Sequence, residues 1–331
     1  MKKIITMMIL NLQLFANEVQ TTLLEGLSPE MKTFYDMTLI DEAQASLVHD
    51  QFGQKRPIPK NGGKTIEFRK FAALNKALTP LTEGVTPDGK GLTVTTITAT
   101  VNQYGDYITQ SDVLELTSLD NTILEATKLL GRQAGLTLDT IVRNVMQSGT
   151  NVTYCPKSDG TAVTSRAGLD ATCQLTVDVI KQVVAKLRAQ NAPTINGKYV
   201  AIIHPYAAYD LMSDERWIEA HKYAKPENLY EGEIGEVAGV RFVQTSEAKI
   251  YSGGVFGTLI FGDGAYGVTE ITGGGLQTIV KQKGSAGTAD PLDQRSSVGW
   301  KAIKTAELLI PQYLVRVESK SKVFSATAAE N

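Results

Sequence analysis

The sequence has little of what metal and redox chemistry needs. It holds two cysteines, Cys155 and Cys173, and three histidines, His49, His204 and His221, in 331 residues. A closed zinc site takes four ligands at short characteristic spacings, and neither a CxxC nor an HxxxH pair occurs. A disulfide between the two cysteines stays open, with reduced thiols of a cytosolic chain the simpler reading. Strong net charge is also lacking: the formal balance is −2, which excludes the global basic field of many nucleic-acid binders. No apolar run reaches the roughly 20 residues of a membrane span. Lys2 and Lys3 precede an apolar run from Ile4 to Phe15, which looks like a secretory leader. Asn11 and Gln13 interrupt that run, and Leu14 stands where a small residue is preferred before cleavage. A short arm starting at Met1, Met7 or Met8 is the reading favoured over export.

Catalytic constellations are missing as well. No GxSxG elbow, HExxH helix or kinase series is present, and Ser, His and Asp are scattered. Asn61-Gly-Gly-Lys-Thr65 suggests a phosphate loop, but Ile58 sits where that loop needs glycine, and a strand follows instead of a helix. Gly262-Asp-Gly264-Ala-Tyr-Gly267 matches GxGxxG literally. Val268 to Ile271 continues as strand, however, so no helix dipole receives a pyrophosphate and the glycines serve turns. We therefore expect no catalytic, cofactor-binding or metal residue, and no enzyme.

What is present is an ordinary folding composition, 42% hydrophobic and 21% charged. Ser28-Pro29-Glu30 is a helix start, and apolar spacing carries that helix toward His49. Lys64 to Lys70 reads as a strand, a turn-rich stretch follows through Pro80, Gly84 and Pro87-Asp88-Gly89, and Leu92 to Thr109 returns as one long threonine-rich strand. Such a two-stranded ribbon lacks a strongly apolar face and must lie on something else, the candidate being another copy of the chain. Asp120 to Met146 is the clearest helix. Ile123, Thr127, Leu130, Ala134, Leu138, Ile141 and Val145 make one stripe, and Thr122 with Glu125 reads as a capping box. At 1.5 Å per residue it is a spine of roughly 40 Å. A helix from Thr176 to Ala189, a buried strand from Lys198 to His204 and a helix from Tyr206 to Ser213 follow. Strands are then expected at Val240–Thr245, Thr258–Phe261, Leu276–Lys281, Val298–Leu309 and Tyr313–Ser319. The class is α+β with mixed or antiparallel sheets.

Charge is unevenly placed. Between Gln54 and Lys76 stand Lys55, Arg56, Lys60, Lys64, Arg69, Lys70 and Lys76 against the single acid Glu67, a net +6. Between Asp214 and Glu236 seven acids, among them Glu227, Glu231, Glu233 and Glu236, face three basic residues, a net −4. Charge runs are often simply solvated faces. The sharper reading is that the basic ribbon docks on acidic surface of a neighbouring copy, because complementary potentials set register and speed association. Reversing Lys55, Arg56 and Lys64 to glutamate is then expected to block assembly.

The order of arm, extended ribbon, spine helix, central mixed domain and closing strands resembles the Hong Kong 97-type fold of tailed-phage major capsid proteins. Several stretches are similar to its N4-type family. They are Asn11-Leu-Gln-Leu-Phe-Ala16, Leu27-Ser-Pro-Glu-Met-Lys-Thr-Phe-Tyr35, Tyr199-Val-Ala-Ile-Ile-His-Pro205 with Asp210-Leu211, Gly232 to Val243, and Gly299-Trp-Lys301. By that resemblance residues 1–50 are an N-terminal arm, 51–112 the E-loop β-ribbon and its base, and 113–150 the spine helix of a peripheral domain. Residues 151–274 are an axial domain, and 275–331 the closing strands of the peripheral domain. The resemblance implies hexamers and pentamers of an icosahedral shell around double-stranded DNA. It adds portal and scaffolding proteins, a decoration protein as a further partner, non-specific DNA contact, and no membrane. The place implied is the virion capsid, assembled in the host bacterial cytoplasm. Two other readings stand beside it: an encapsulin-type nanocompartment shell, and a secreted β-rich binding protein or hydrolase.

Overall fold

The computed structural model describes residues 37–43, 47–71, 74–81, 83–86, 88–118, 122–224, 235–285 and 290–331. Helix α1 covers 37–43 and buries Leu39 and Ala43; the expected helix start at Ser28 lies outside the described residues. That helix does not reach His49, because residues 47–50 leave helical geometry. The reason is a buried clamp. Asp139 Oδ1 accepts from the backbone N–H groups of Val48 (2.8 Å) and His49 (2.7 Å), and its Oδ2 lies 2.6 Å from His49 Nδ1. These bonds satisfy N–H groups that would otherwise be orphaned in the core.

Strand β1 (Gln54–Lys55) leads to β2 (Thr65–Phe71) and β3 (Val94–Thr100), which pair antiparallel from Thr65↔Thr100 to Phe71↔Val94. The expected single strand from Leu92 to Thr109 is two strands. The chain breaks at buried Val101, whose N–H donates to Lys64 O, and β4 (Asn102–Ser111) leaves the ribbon for another sheet. A short helix α2 (Asp112–Thr117), capped by the Ser111 hydroxyl, precedes the spine α3 (Thr122–Gln147). The expected capping box does not form: the Thr122 hydroxyl donates to Gln110 Oε1, and Glu125 pairs with Lys128.

The order continues with β5 (Val152–Tyr154), α4 (Val177–Ala189), β6 (Tyr199–Ile203), α5 (Pro205–Met212), α6 (Glu215–Ala224), β7 (Glu236–Val237), β8 (Val240–Gln244) and β9 (Ile250–Tyr251). It ends with β10 (Val255–Phe261), β11 (Tyr266–Glu270), β12 (Gln277–Lys281), β13 (Arg295–Leu308) and β14 (Leu314–Lys320). Two larger sheets result. In the five-stranded one the long β13 pairs antiparallel with β4, β11 and β12, and β1 lies parallel to β11. The seven-stranded sheet is mixed, with order β5-β14-β10-β6-β8-β7 and β9 added on β10.

The spine joins them. Its first half lays Leu130, Ala134 and Leu138 on Val298, Trp300 and Ala302 of β13, with Leu39 of α1 in the same cluster. Its second half lays Val142 and Met146 on Val200, Ile202, Leu259 and Phe261 of the seven-stranded sheet. Each leucine, valine, methionine or phenylalanine among these contributes roughly 1.5–3 kcal/mol of burial, so one helix ties both sheets to a common core. A Cβ at Gly131 would stand 2.8 Å from Leu39 O, so glycine sets how closely α1 and α3 approach. The opposite face of the seven-stranded sheet is covered by α4, α5 and Trp217 of α6.

Helix α5 carries two buried ionisable groups with opposite habits. His204 Nδ1 accepts from Tyr206 N–H (3.1 Å) and caps the helix; burial lowers its proton affinity. Asp210 takes a hydrogen bond from the Ser321 hydroxyl at 3.1 Å, and burial pushes its carboxyl up to about 6. A raised carboxyl favours the folded state when protonated. Its penalty is therefore fully present above about pH 6 and fades as pH falls toward the ordinary value near 4. Protonation of His204 costs stability over an overlapping window, below about pH 6.5. The clean comparison is Asp210→Asn at pH 8, where we expect a gain on the order of 1–2 kcal/mol, read as a higher Tm, that shrinks to nothing at pH 4. An unchanged Tm at pH 8 would show that the carboxylate is fully solvated there.

Candidate assembly surface

The ribbon β2–β3 is held only at its base. Phe68 and Ala99 pack on Leu309 just after β13, and the described residues between Leu74 and Thr93 are all exposed. Threonines suit the strands sterically without requiring burial, which is why seven ladder positions form with only Phe68 and Ala99 buried. Between the strands, Leu74, Leu78, Leu81, Val85 and Leu92 are all exposed, Leu78 by 83%. A monomer rarely leaves so many large apolar side chains together in water without a partner surface.

The basic residues fall into two groups. Lys55 lies 3.7 Å from Asp50, and the Arg56 guanidinium sits 5.7 Å from the Phe68 ring centre, so both serve the ribbon base. Lys60, Lys64 and Arg69 are exposed, Lys70 is half-buried, and none of the four has an acidic partner among the described residues. Of the expected acidic docking residues, Glu236 is paired with Lys198 within its own chain. Glu227, Glu231 and Glu233 lie outside the described residues. The acidic stretch is also partly spent internally: Asp214 Oδ2 accepts from Val177 N–H at the start of α4 and its Oδ1 from Arg216 N–H. Among the described residues, fewer side chains are free for the expected docking of basic ribbon on acidic surface than the charge count suggested.

A feature that charge counting misses is apolar. On its outward side α3 has a groove of about 480 Å³ lined by Leu129, Leu136 and Ile141 with Arg132, Gln133, Thr137 and Thr140. Leu129 is 60% exposed. The spacing Leu129, Leu136, Thr140 is a second helical stripe, weaker than the core stripe and opposite to it. At the corner of the five-stranded sheet, α2 likewise exposes Val113, Leu114 and Leu116, and buries none of its residues.

The interior arrangements that resemble chemistry are structural. His49 and Asp139 are wholly buried, and the His49 carbonyl accepts from Tyr266 Oη at 2.5 Å, so no substrate reaches the pair. Gly264 sits at φ +68° in the turn from β10 to β11, and a strand follows, as the glycine motif implied. Cys155 and Cys173 are free thiols; burial raises Cys155 far above ordinary thiol range, which leaves it inert. Among the described residues no group of three metal-ligating side chains is gathered.

Comparisons with known proteins show the family and the fold. The family described as "Phage capsid protein" matches residues 2–259. No curated protein matches the sequence. Among solved structures, the capsid of the cyanophage Pam1 is similar with a TM-score of 0.68 at 13% identity, over 85% of this chain and 92% of that one. The capsid of the cyanophage P-SCSP1u gives 0.66 at 15% identity, over 83% and 88%. A virus-like particle from Pyrococcus furiosus gives 0.51 at 12% identity, over 87% and 99%. At such identities the likeness speaks of the fold, and the α+β capsid architecture expected above is the one found.

Proposed function

The chain belongs to this phage capsid protein family, and on that premise we propose that it is the major capsid protein, whose copies join as hexamers and pentamers and close an icosahedral shell around double-stranded DNA. The observation that carries this reading is the ribbon: two strands anchored at one end, with Lys64, Arg69 and Lys70 on or beside the first and exposed apolar residues at the tip, and with nothing among the described residues covering that tip. A projecting ribbon and an open groove on the same subunit are unlike surfaces. A contact between unlike surfaces is heterologous, and it closes into rings when the rotation between copies permits. The division at residues 50, 112, 150 and 274 separates arm, ribbon, spine, axial unit and closing strands in this reading. The subunit acts by shape and not by catalysis. Portal, scaffolding and decoration proteins complete the particle, which forms in the bacterial cytoplasm. Packaged DNA meets the inner surface through phosphate contacts that are salt-sensitive and sequence-blind.

The test is the assembly size of the protein expressed with its neighbouring phage genes, by sizing chromatography and negative-stain microscopy. Capsomer rings or megadalton shells are expected, and a monomer under those conditions would overturn the reading. A second and weaker reading is an encapsulin-type nanocompartment shell, since the virus-like particle from Pyrococcus furiosus shares the fold. Nucleic acid inside purified particles supports the first reading, and a protein cargo supports the second.

A further inference from the structure

Cys155 and Cys173 are well separated in sequence, yet they share one place at the edge of the seven-stranded sheet. In a parallel ladder a residue donates to one position of the neighbouring strand and accepts from the position two further on. The ladder of β5 on β14 runs from Arg316↔Val152 to Glu318↔Tyr154. Just past its end, Cys155 N–H donates to Glu318 O at 3.0 Å. The acceptor for Lys320 N–H in a continued ladder would be the Cys155 carbonyl; it is the Cys173 carbonyl instead, at 2.9 Å. The two backbones therefore meet at one register position, within the roughly 4.4–6.8 Å between Cα atoms that a disulfide spans. Both side chains are wholly buried in the same apolar cluster, which the sheet shares with α4. Burial raises the Cys155 thiol, and the neighbouring Cys173 adds to the effect. The chain has no third cysteine to compete for either.

The segment that joins them, 156–172, is the kind that opens without the rest. Leu169 is its one buried residue, and it carries no strand or α-helix. Its closure relies on the Lys157–Asp170 pair at 3.0 Å, exposed and so worth little, and on Arg166 reaching Glu318. Local opening of such a segment costs less than global unfolding and uncovers thiols that are inert while it is closed. We propose that Cys155 and Cys173 are a latent staple, two thiols in a reducing cytoplasm that become one disulfide when the assembled particle reaches oxidising surroundings. The timing rests on the capsid reading; the pairing does not. The oxidant is a small-molecule disulfide. In the opened segment the Cys173 thiolate attacks it and expels one small thiolate, and the Cys155 thiolate then attacks Cys173 Sγ and expels the second. One Sγ–Sγ bond forms, one small disulfide is reduced by two electrons, and the two cysteine protons end on the two small thiols. The bond closes the 156–172 loop and holds Arg166 over Glu318 in the released particle.

The test uses the full-length unassembled subunit, kept for hours in oxidised glutathione, then denatured and treated with iodoacetamide. The expected product takes up no iodoacetamide, weighs about 2 Da less than the reduced chain, and yields one linked peptide pair holding Cys155 and Cys173. Its Tm should rise by about 4 °C and fall back in dithiothreitol. Cys173→Ala should show no redox-dependent change in Tm; the comparison is made within the variant, so any weakening of its fold does not enter. Two alkylated thiols, two glutathione adducts or chains linked to each other in the oxidised wild type would each overturn the staple. In shells, alkylation inside intact cells should trap two free thiols, and later exposure to oxidised glutathione should join them. A disulfide already present in the cell overturns the timing. Absence of shells under any co-expression refutes the capsid reading, while the subunit result stands on its own.

Discussion

Replacing Glu318 by Gln is expected to destabilise the unassembled subunit by about 3 kcal/mol, roughly 4 °C in Tm for a chain of this length. Glu318 is wholly buried on β14 and balances two arginines. Its Oε2 accepts from Arg166 Nε at 2.7 Å, while Oε1 accepts from Arg166 Nη2 at 2.6 Å and from Arg316 Nε at 2.9 Å. Arg316 also donates to the carbonyls of Gln147 and Gly149 at the end of the spine. The Arg166 guanidinium lies 3.6 Å from the Tyr251 ring centre, and Tyr251 Oη donates to Gln147 Oε1. Four segments far apart in sequence thus meet at one carboxylate. Glutamine keeps the volume but turns an amide N–H₂ toward guanidinium donors and leaves two cations without a counter-charge in a poorly solvated place. Arg166 is 37% exposed and partly escapes to water, which is why the figure sits at the low end for a broken buried pair. Arg166→Ala should cost distinctly less, because Arg316 still neutralises Glu318. Equal losses for the two variants, by thermal or urea unfolding, would mean that the network holds the fold by packing and not by charge.

Much of this fold was legible because hydrophobic periodicity is strong where one element meets one surface. The α3 stripe gave the spine to within two residues at its start and one at its end, and the expected strands in the second half of the chain appear with shifted ends. The failures have a shared cause. Leu92 to Thr109 carries one continuous strand signal, and nothing local marks the point where it exchanges one partner strand for another. That point is set by Val101 bonding across to Lys64 and by β13 receiving β4. The helix toward His49 ends early for a similar reason: the buried Asp139, ninety residues away, claims the N–H groups of Val48 and His49. The Thr122 cap yields to Gln110, a tertiary neighbour. Propensity describes the chain's local choice, and each time a long-range hydrogen bond outweighed it.

The assembly surface was half legible. Like charges cluster visibly in sequence, so the basic ribbon could be read from Lys55 to Lys76. Which of those charges are unspent could not, since Asp50 beside Lys55 and the Phe68 ring beside Arg56 follow from folding. The apolar row from Phe71 to Leu92 stood in the sequence too. Proline and glycine at 80, 84, 87 and 89 punctuate it as turns, and turn signals hide the apolar row beneath them. The α3 groove was masked by the stronger stripe on the opposite face of the same helix.

That sorting moves the decisive charge test from Lys55, Arg56 and Lys64 to Lys60, Lys64 and Arg69. Reversing Lys55 or Arg56 would disturb the ribbon base, and a failure to assemble would then have two causes. Lys60, Lys64 and Arg69 are exposed and without acidic partners among the described residues, so their reversal to glutamate should leave subunit stability within about 0.5 kcal/mol. It takes the stretch from Gln54 to Lys76 from +6 to zero, with four basic residues left against four acids. If the ribbon meets acidic surface on the next copy, encounter slows by ten-fold or more and the register is lost, so shells should be absent at concentrations where the wild type is fully assembled. Wild-type assembly should itself slow between 0.05 and 0.5 M salt, as the screening length falls from roughly 14 Å to about 4 Å. The partner is identified by adding Glu227→Lys, Glu231→Lys and Glu233→Lys to the same chain. Recovery of shells assigns the acidic segment as the docking face, and continued failure places the complementary charge elsewhere on the subunit. Normal shells from the triple reversal alone would sink the electrostatic account, leaving the apolar tip to hold the ribbon by itself.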